Sequence, residues 1–247
     1  MEALVTVDSV SLAYHTREAE TIAIDHLDLT VYDGEFVAIV GPSGCGKTSL
    51  LSLFMGLMQP TEGEIRFSTD GLRLGYMLQR DHLLDHRTVE KNVLLGLEVQ
   101  HRLNAQTRDR AMQLLETYGL GEFMRFKPHQ LSGGMRQKVA LIRTLALEPD
   151  VLLLDEPFSA LDYQTRLDIA DEVYRIIRSE HKTAVLVTHD ISEAVSMADR
   201  VIVLTARPAT LRCVVPIAFD ATLSPLERRM QPSFHSYFDW IWKEIHP

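Results

Sequence analysis

Phe36-Val-Ala-Ile-Val-Gly-Pro-Ser-Gly-Cys-Gly-Lys-Thr48 runs from an apolar stretch straight into a loop of the form G-x-x-x-x-G-K-[ST]. A short apolar run that ends in a glycine-rich turn reads as a buried strand, and a helix is expected to follow. That strand, loop and helix setting is what a phosphate-binding loop requires. Glycine at positions 41, 44 and 46 lets successive backbone N–H groups converge on one concavity without obstruction by a Cβ, while the following helix turns its positive end toward the same anion. Lys47 is then placed to reach the β and γ phosphates of a nucleotide, and the Thr48 hydroxyl to ligate Mg²⁺. At average composition the pattern arises by chance in about 1% of chains of this length. Nucleotide binding through Gly41, Pro42, Ser43, Gly44, Cys45, Gly46, Lys47, Thr48 and Ser49 is therefore the first functional expectation.

Outward from this loop, strand-length apolar runs alternate with helical periodicity, the pattern of an α/β protein with a mostly parallel sheet. Val151-Leu-Leu-Leu154, Ala184-Val-Leu-Val187 and Val201-Ile-Val-Leu204 are further buried strands. Leu167, Ala170, Val173 and Ile177 recur at helical spacing between the first two of these. The first 35 residues differ, with Leu4-Val-Thr-Val7 and Leu27 to Val31 reading as an N-terminal antiparallel β-layer and Asp33-Gly34 as a turn. Helical period runs from about Thr88 to Tyr118 and supports a helical subdomain over residues 88–148. Residues 206–247 read as a C-terminal tail with an extended piece from Cys213 to Phe219 and a terminal helix. In that helix Phe234, Tyr237, Phe238, Ile241, Trp242 and Ile245 form an aromatic stripe, expected to pack on its own domain or on another subunit. No Gly/Ser-rich or Pro-rich linker interrupts the chain, so a single domain over 1–247 is expected.

With 247 residues and 46% apolar content, the chain can bury a substantial core. Lys and Arg number 25 against 34 Asp and Glu, a net charge of −9 with the signs interleaved. That balance argues against a nucleic-acid partner and against adsorption on anionic lipid, both of which need a basic face. Cys45 and Cys213 make no disulfide framework, and the Met1-Glu-Ala start lacks a secretory pattern, so a reducing cytosolic setting is expected. No apolar run approaches the roughly 18 to 20 residues of a membrane span. Work at a membrane would have to be done through a partner.

Val151-Leu-Leu-Leu-Asp-Glu156 delivers two carboxylates to the C-terminal end of a strand, where parallel sheets bind ligands. Asp155 suits Mg²⁺, and Glu156 suits a base or orienting group for an attacking water. On these residues alone, a hydrolase and a phosphotransferase are both open. Leu131-Ser-Gly-Gly-Met-Arg-Gln137 adds a second anion-binding turn, opening a helix over Met135 to Leu147. Two phosphate-gripping loops in one domain make sense if the second grips a nucleotide held by another copy.

At this point the chain resembles the ATP-binding subunit of an ABC transporter, over nearly all of its length and with the motifs in order. The resemblance implies that Gly41 to Thr48 is the Walker A loop and that Val151 to Glu156 is Walker B. It further implies that Gln79, in Tyr76-Met-Leu-Gln79, senses Mg²⁺ and the γ-phosphate. Leu131, Ser132, Gly133, Gly134 and Gln137 correspond to the signature that contacts ATP on the opposing subunit. Asp162, in Ser159-Ala-Leu-Asp162, matches the D-loop, and His189, in Val187-Thr-His-Asp190, the switch histidine. Tyr14 falls where the family places an aromatic that stacks on adenine. The implied catalytic pair is Glu156 and His189, and the implied metal ligands are Thr48, Gln79 and Asp155. The implied fold is an ABC ATPase cassette, with a P-loop NTPase-type sheet, an antiparallel β-layer and a helical subdomain.

The segment Arg80-Asp-His-Leu-Leu-Asp-His-Arg-Thr-Val-Glu90 lies where the family receives the coupling helix of a membrane permease. Its wording, with Lys127-Pro-His-Gln-Leu131, is similar to the branch that imports nitrate, sulfonate, taurine or a thiamine precursor. The implied partners are a second ATP-binding subunit, a transmembrane permease and, indirectly, an extracytoplasmic solute-binding protein, on the cytoplasmic face of the membrane. A non-transport ABC ATPase of DNA repair or translation is the alternative class. It would ordinarily bring a long coiled-coil insertion or tandem cassettes. A small-molecule kinase has no use for the signature segment. His82, His86, His101 and His129 lack metal-ligand spacing, so no zinc site is expected.

Overall fold

The computed structural model describes residues 2–15 and 20–246. The elements follow in chain order as β1 (Ala3–His15), β2 (Glu20–Tyr32), β3 (Phe36–Val40), α1 (Lys47–Phe54), β4 (Glu62–Phe67) and β5 (Leu74–Met77). Next come α2 (Val89–Val99), α3 (Ala105–Thr117), α4 (Gly133–Leu145), β6 (Val151–Asp155) and α5 (Tyr163–Ser179). The chain closes with β7 (Thr183–Val187), α6 (Ile191–Met197), β8 (Arg200–Leu204), β9 (Leu211–Pro216), α7 (Pro225–Arg229) and α8 (Pro232–Ile245). These elements form two compact units, residues 1–72 with 181–247, and residues 73–180.

In the first unit, β1 pairs antiparallel with both β2 and β4, with Val7 opposite Leu29 and opposite Ile65. The expected antiparallel layer is therefore present with far longer strands than the apolar runs alone indicated. Asp33-Gly34 forms the expected turn, Gly34 taking φ 72°, a conformation that costs glycine nothing. A parallel core sheet runs β7-β3-β8, with β9 added antiparallel to β8. Every residue of β3 and β7 is buried, which is why both read as unbroken apolar runs. Each large apolar side chain so buried contributes about 1.5–3 kcal/mol relative to exposure.

Helix α8 covers this sheet, touching α6, β8 and β9. Of its aromatic stripe, Phe234 and Ile241 are buried, while Trp242 remains half exposed. The Tyr237 hydroxyl accepts the Ala218 amide at 3.1 Å. The stripe thus packs on its own unit, as expected.

In the second unit, β5 and β6 pair in parallel with Tyr76 opposite Leu153 and Met77 opposite Leu154. Gly75 is needed here, since a Cβ would lie 2.7 Å from Thr144 Cγ2 of α4. The helical stretch from Thr88 breaks into α2 and α3, each with an N-cap: Thr88 accepts from Lys91 N, and Asn104 from Thr107 N. Helix α4 opens at Gly133, two residues before the expected Met135, and closes at Leu145 rather than Leu147. Its first turn is admitted by the Ser132 cap.

Candidate functional site

Parallel register places the candidate residues within each unit. In the first, Ile39 lies opposite Val187, and the Thr188 amide continues the ladder to Ile39 O at 3.2 Å. Two residues further along both strands, Gly41 and His189 stand side by side at the C-terminal edge of the sheet. The loop between β3 and α1 is shaped by glycine where it must be. Gly44 and Gly46 have φ 73° and 126°, and a Cβ on Gly41 would lie 3.1 Å from both Leu204 O and Cys45 Sγ.

Lys47 is only 5% exposed, and its ammonium donates to Gly41 O at 2.9 Å and Pro42 O at 3.1 Å. The cation is thereby held over its own loop. Ser43, Gly44 and Thr48 are exposed, whereas Cys45 is buried, its amide donating to Pro42 O at 3.2 Å and its Sγ lying 3.9 Å from the Lys47 ammonium. The Tyr14 hydroxyl and Ser49 Oγ lie 2.8 Å apart, so β1 brings the candidate adenine-stacking ring onto the helix of the phosphate loop.

His189 is exposed between β7 and α6. Its turn is rigid: Asp190 caps α6 by accepting from Ser192 N and Glu193 N, and the buried Thr188 hydroxyl donates to Glu193 Oε2 at 2.7 Å. A cleft of about 470 Å³ runs from Gly41–Ser43 past His189 to Phe238 and Trp242 of α8.

In the second unit the same arithmetic of register carries Gln79 level with Glu156. The Gln79 amide donates to Glu156 Oε2 and to Ser159 Oγ, both at 3.3 Å. Glu156 has φ 44°, a left-handed conformation that costs a non-glycine residue about 1–3 kcal/mol and recurs at functional sites. Asp155, 5% exposed, accepts the Tyr76 hydroxyl at 3.1 Å. Burial, and then the Asp155 charge, push the Tyr76 pKa well up, so the phenol keeps its proton and donates.

Ser132 is exposed and caps α4 by accepting Met135 N at 3.2 Å. Leu131, Gly134 and Gln137 face inward. A Cβ on Gly134 would come within 2.8 Å of Ile169 on α5, so this glycine serves helix packing. Asp162 caps α5 and accepts Thr165 N at 3.1 Å. Its pKa is lowered by the hydrogen bonds from Thr165.

Sequence reasoning missed the clamp on Asp81 and His82. Arg136 Nε donates to Asp81 Oδ2 at 3.1 Å and its Nη1 to Leu131 O at 3.0 Å. Arg143 donates to His82 O at 2.9 Å and Asp81 O at 2.6 Å. Burial lowers the Arg143 pKa, and the fully buried Asn92 holds Leu84 through both its amide and carbonyl. The segment after Gln79 is thus bolted to α4 and α2. Arg143→Met is expected to destabilise the chain by about 1.5–3 kcal/mol, the range for hydrogen bonds to charged groups. A denaturant midpoint and amide exchange at Leu83 and Leu84 would read the effect, and unchanged protection there would contradict it.

A strand edge carrying a glycine-shaped loop and a buried lysine defines a nucleotide-phosphate site of the P-loop class. A family model described as ABC transporter matches residues 24–159, and a model described as AAA domain, putative AbiEii toxin, Type IV TA system matches residues 125–196. The chain is 42% identical over 245 residues to the uncharacterized ABC transporter ATP-binding protein YtlC of Bacillus subtilis, covering 97% of this chain and 94% of that one. It is 43% identical over 219 residues to the aliphatic sulfonates import ATP-binding protein SsuB 1 of Rhodococcus jostii, covering 87% and 85%. Among solved structures, a dimeric ATP-binding cassette in a post-hydrolysis state bound to ADP and Pi superposes with a TM-score of 0.73 at 30% identity. That match covers 88% of this chain and 100% of the other. The chain belongs to the ABC transporter ATP-binding family, has the cassette fold, and is an ATPase.

Proposed function

We propose that this chain is the ATPase subunit of an importer, energising passage of a small solute through a separate permease. Two copies would close around two ATP molecules, each site borrowing the signature of the opposing copy. The observation that carries this reading is the linkage inside residues 73–180. Gln79 holds Glu156, and Asp81 and His82 just beyond it are clamped to the signature helix by Arg136 and Arg143. A permease pressing on the Gln79–Val93 stretch would then move the water-handling carboxylate and Ser132 together.

In this mechanism the loop amides and Lys47 bind the ATP phosphates, Tyr14 stacks on adenine, and Glu156 polarises the attacking water. His189 and Lys47 stabilise charge developing on the γ-phosphate. Of the signature residues, Ser132 and Gly133 are assigned to the opposing ATP, because the side chains of Leu131 and Gln137 and the Cα of Gly134 are turned inward. Asp162 caps the start of α5.

The residues suit Mg²⁺. Among the described residues no group of three or more His, Cys, Asp or Glu is gathered for a metal. Thr48, Gln79 and Asp155 offer a hydroxyl, an amide carbonyl and a carboxylate, the hard oxygen donors that a Mg²⁺ ion takes beside phosphate and water. Thr48, Gln79 and Asp155 would hold it, and when bound it would neutralise phosphate charge.

No helix among the described residues is long and apolar enough to cross a membrane; attachment to the cytoplasmic face through the permease is part of the proposal. For the solute, the likeness to an aliphatic sulfonates importer supports the nitrate, sulfonate, taurine or thiamine-precursor class. Co-purification of the tagged chain from membranes tests the assignment. A permease that stimulates its ATP hydrolysis is the expected result, and ribosomes or nucleic acid in its place would overturn it. Thermal stabilisation of the associated solute-binding protein by taurine, an alkanesulfonate, nitrate or a pyrimidine precursor would then identify the solute.

A further inference from the structure

Arg207 lies outside every motif so far named, yet its Nη2 donates to Gly44 O at 2.9 Å, at the tip of the phosphate loop. It is carried there by a stapled turn between β8 and β9. Thr205 N donates to Thr210 O at 3.0 Å, and Thr210 N to Thr205 Oγ1 at 2.9 Å. The Thr205 hydroxyl also reaches Pro208 O at 3.1 Å. The turn is sewn in turn to β2, with Ala209 N donating to Ala23 O at 2.9 Å and Asp25 N to Ala209 O at 3.0 Å.

The segment 204–209 meets the phosphate loop at three of its glycines. Leu204 O lies 3.1 Å from where a Cβ on Gly41 would sit, Ala209 Cβ lies 3.7 Å from the corresponding point on Gly46, and Arg207 holds Gly44 between them. Gly44 is the member of the three that nothing crowds, since a Cβ there would meet no atom within 4 Å. Glycine is also the residue that loses most conformational freedom on ordering. The Gly44 carbonyl and the Cys45 amide belong to one planar peptide and point oppositely. Fixing the carbonyl outward on Arg207 therefore fixes the Cys45 N–H inward, toward Pro42 O.

We propose that Arg207 is a positioning residue for ATP. It braces the Gly44–Cys45 peptide so that the phosphate loop is ordered before nucleotide arrives, which lowers the entropy lost on binding. The proposal rests on the reading of Gly41–Thr48 as the nucleotide-phosphate site. Because Arg207 touches the loop and not the reacting atoms, its loss should weaken nucleotide binding and leave the chemical step alone.

The test is calorimetric titration of the full chain with ATP and with ADP, beside steady-state hydrolysis, for Arg207→Ala, Arg207→Lys and Lys47→Ala. Arg207→Ala should raise the Kd for both nucleotides and the KM for ATP about 3- to 10-fold, with kcat within about twofold. Arg207 is exposed, so the thermal midpoint should not move. Arg207→Lys, which can still serve one carbonyl, should restore most of the affinity. Unchanged Kd in Arg207→Ala, a fall in kcat without a change in Kd, or a lysine variant as weak as the alanine variant would each overturn the proposal. If Lys47→Ala abolishes binding while Arg207→Ala does not alter it, only the brace falls. If the unaltered chain binds neither nucleotide, the phosphate-loop reading falls with it.

Discussion

Glu156→Gln is expected to abolish turnover while leaving ATP bound, so that the variant accumulates as an ATP-loaded dimer. The substitution keeps the size of the side chain and exchanges the carboxylate that accepts the Gln79 amide at 3.3 Å for an amide that can accept the same hydrogen bond. What disappears is the negative charge that would polarise a water. Losing a general base costs about 10²- to 10⁴-fold in rate, and the proposed binding groups Lys47, Thr48 and Tyr14 are untouched. The backbone argues for a role beyond charge. Glu156 is held at φ 44°, which a glycine would adopt without strain, so Glu156→Gly should fold at least as well and still be inactive. Phosphate release assays, with size-exclusion chromatography in ATP, would decide. Turnover within about threefold of the unaltered chain would remove Glu156 from the chemistry.

The sequence told most where one physical cause acts alone. β3, β6 and β7 are buried on every residue and therefore announce themselves as apolar runs, and the loop glycines are confined by a steric need visible in their spacing. The edge strand β4 has no such signal, because only Ile65 among its residues is even partly covered, and β5 is short and interrupted by Gly75. Helix α7 is a single turn started by Ser224, Pro225 and Glu227, a capping pattern present in the sequence but without periodicity behind it. For the site, register explains why Gln79 and Glu156, 77 positions apart, share a hydrogen bond. Knowing which strands pair was needed before that could be read. Arg143 and Arg207 show a different gap. Each makes its contact through a backbone carbonyl of a distant segment, and a carbonyl has no sequence identity, so no residue pattern could have flagged the pair.

Lys47→Ala should remove measurable nucleotide binding, and the reason lies in how the ammonium is kept. It is 5% exposed and held by Gly41 O and Pro42 O, carbonyl partners that offset the cost of burying a charge. Phosphate oxygens would offer it stronger, charge-assisted hydrogen bonds in a setting of low dielectric. Such bonds contribute about 1.5–3 kcal/mol each, and two of them correspond to about 100-fold or more in affinity. Lys47→Arg should not rescue, because a planar guanidinium is wider than an ammonium and has no room in a buried site shaped by Gly41 and Cys45. Folding supplies the control. Lys47 begins α1 and alanine is a good helix former, so the thermal midpoint should hold while calorimetric titration with ATP shows the loss. An affinity within about threefold of the unaltered chain would mean that the loop amides bind phosphate unaided, and the buried lysine would then need another explanation.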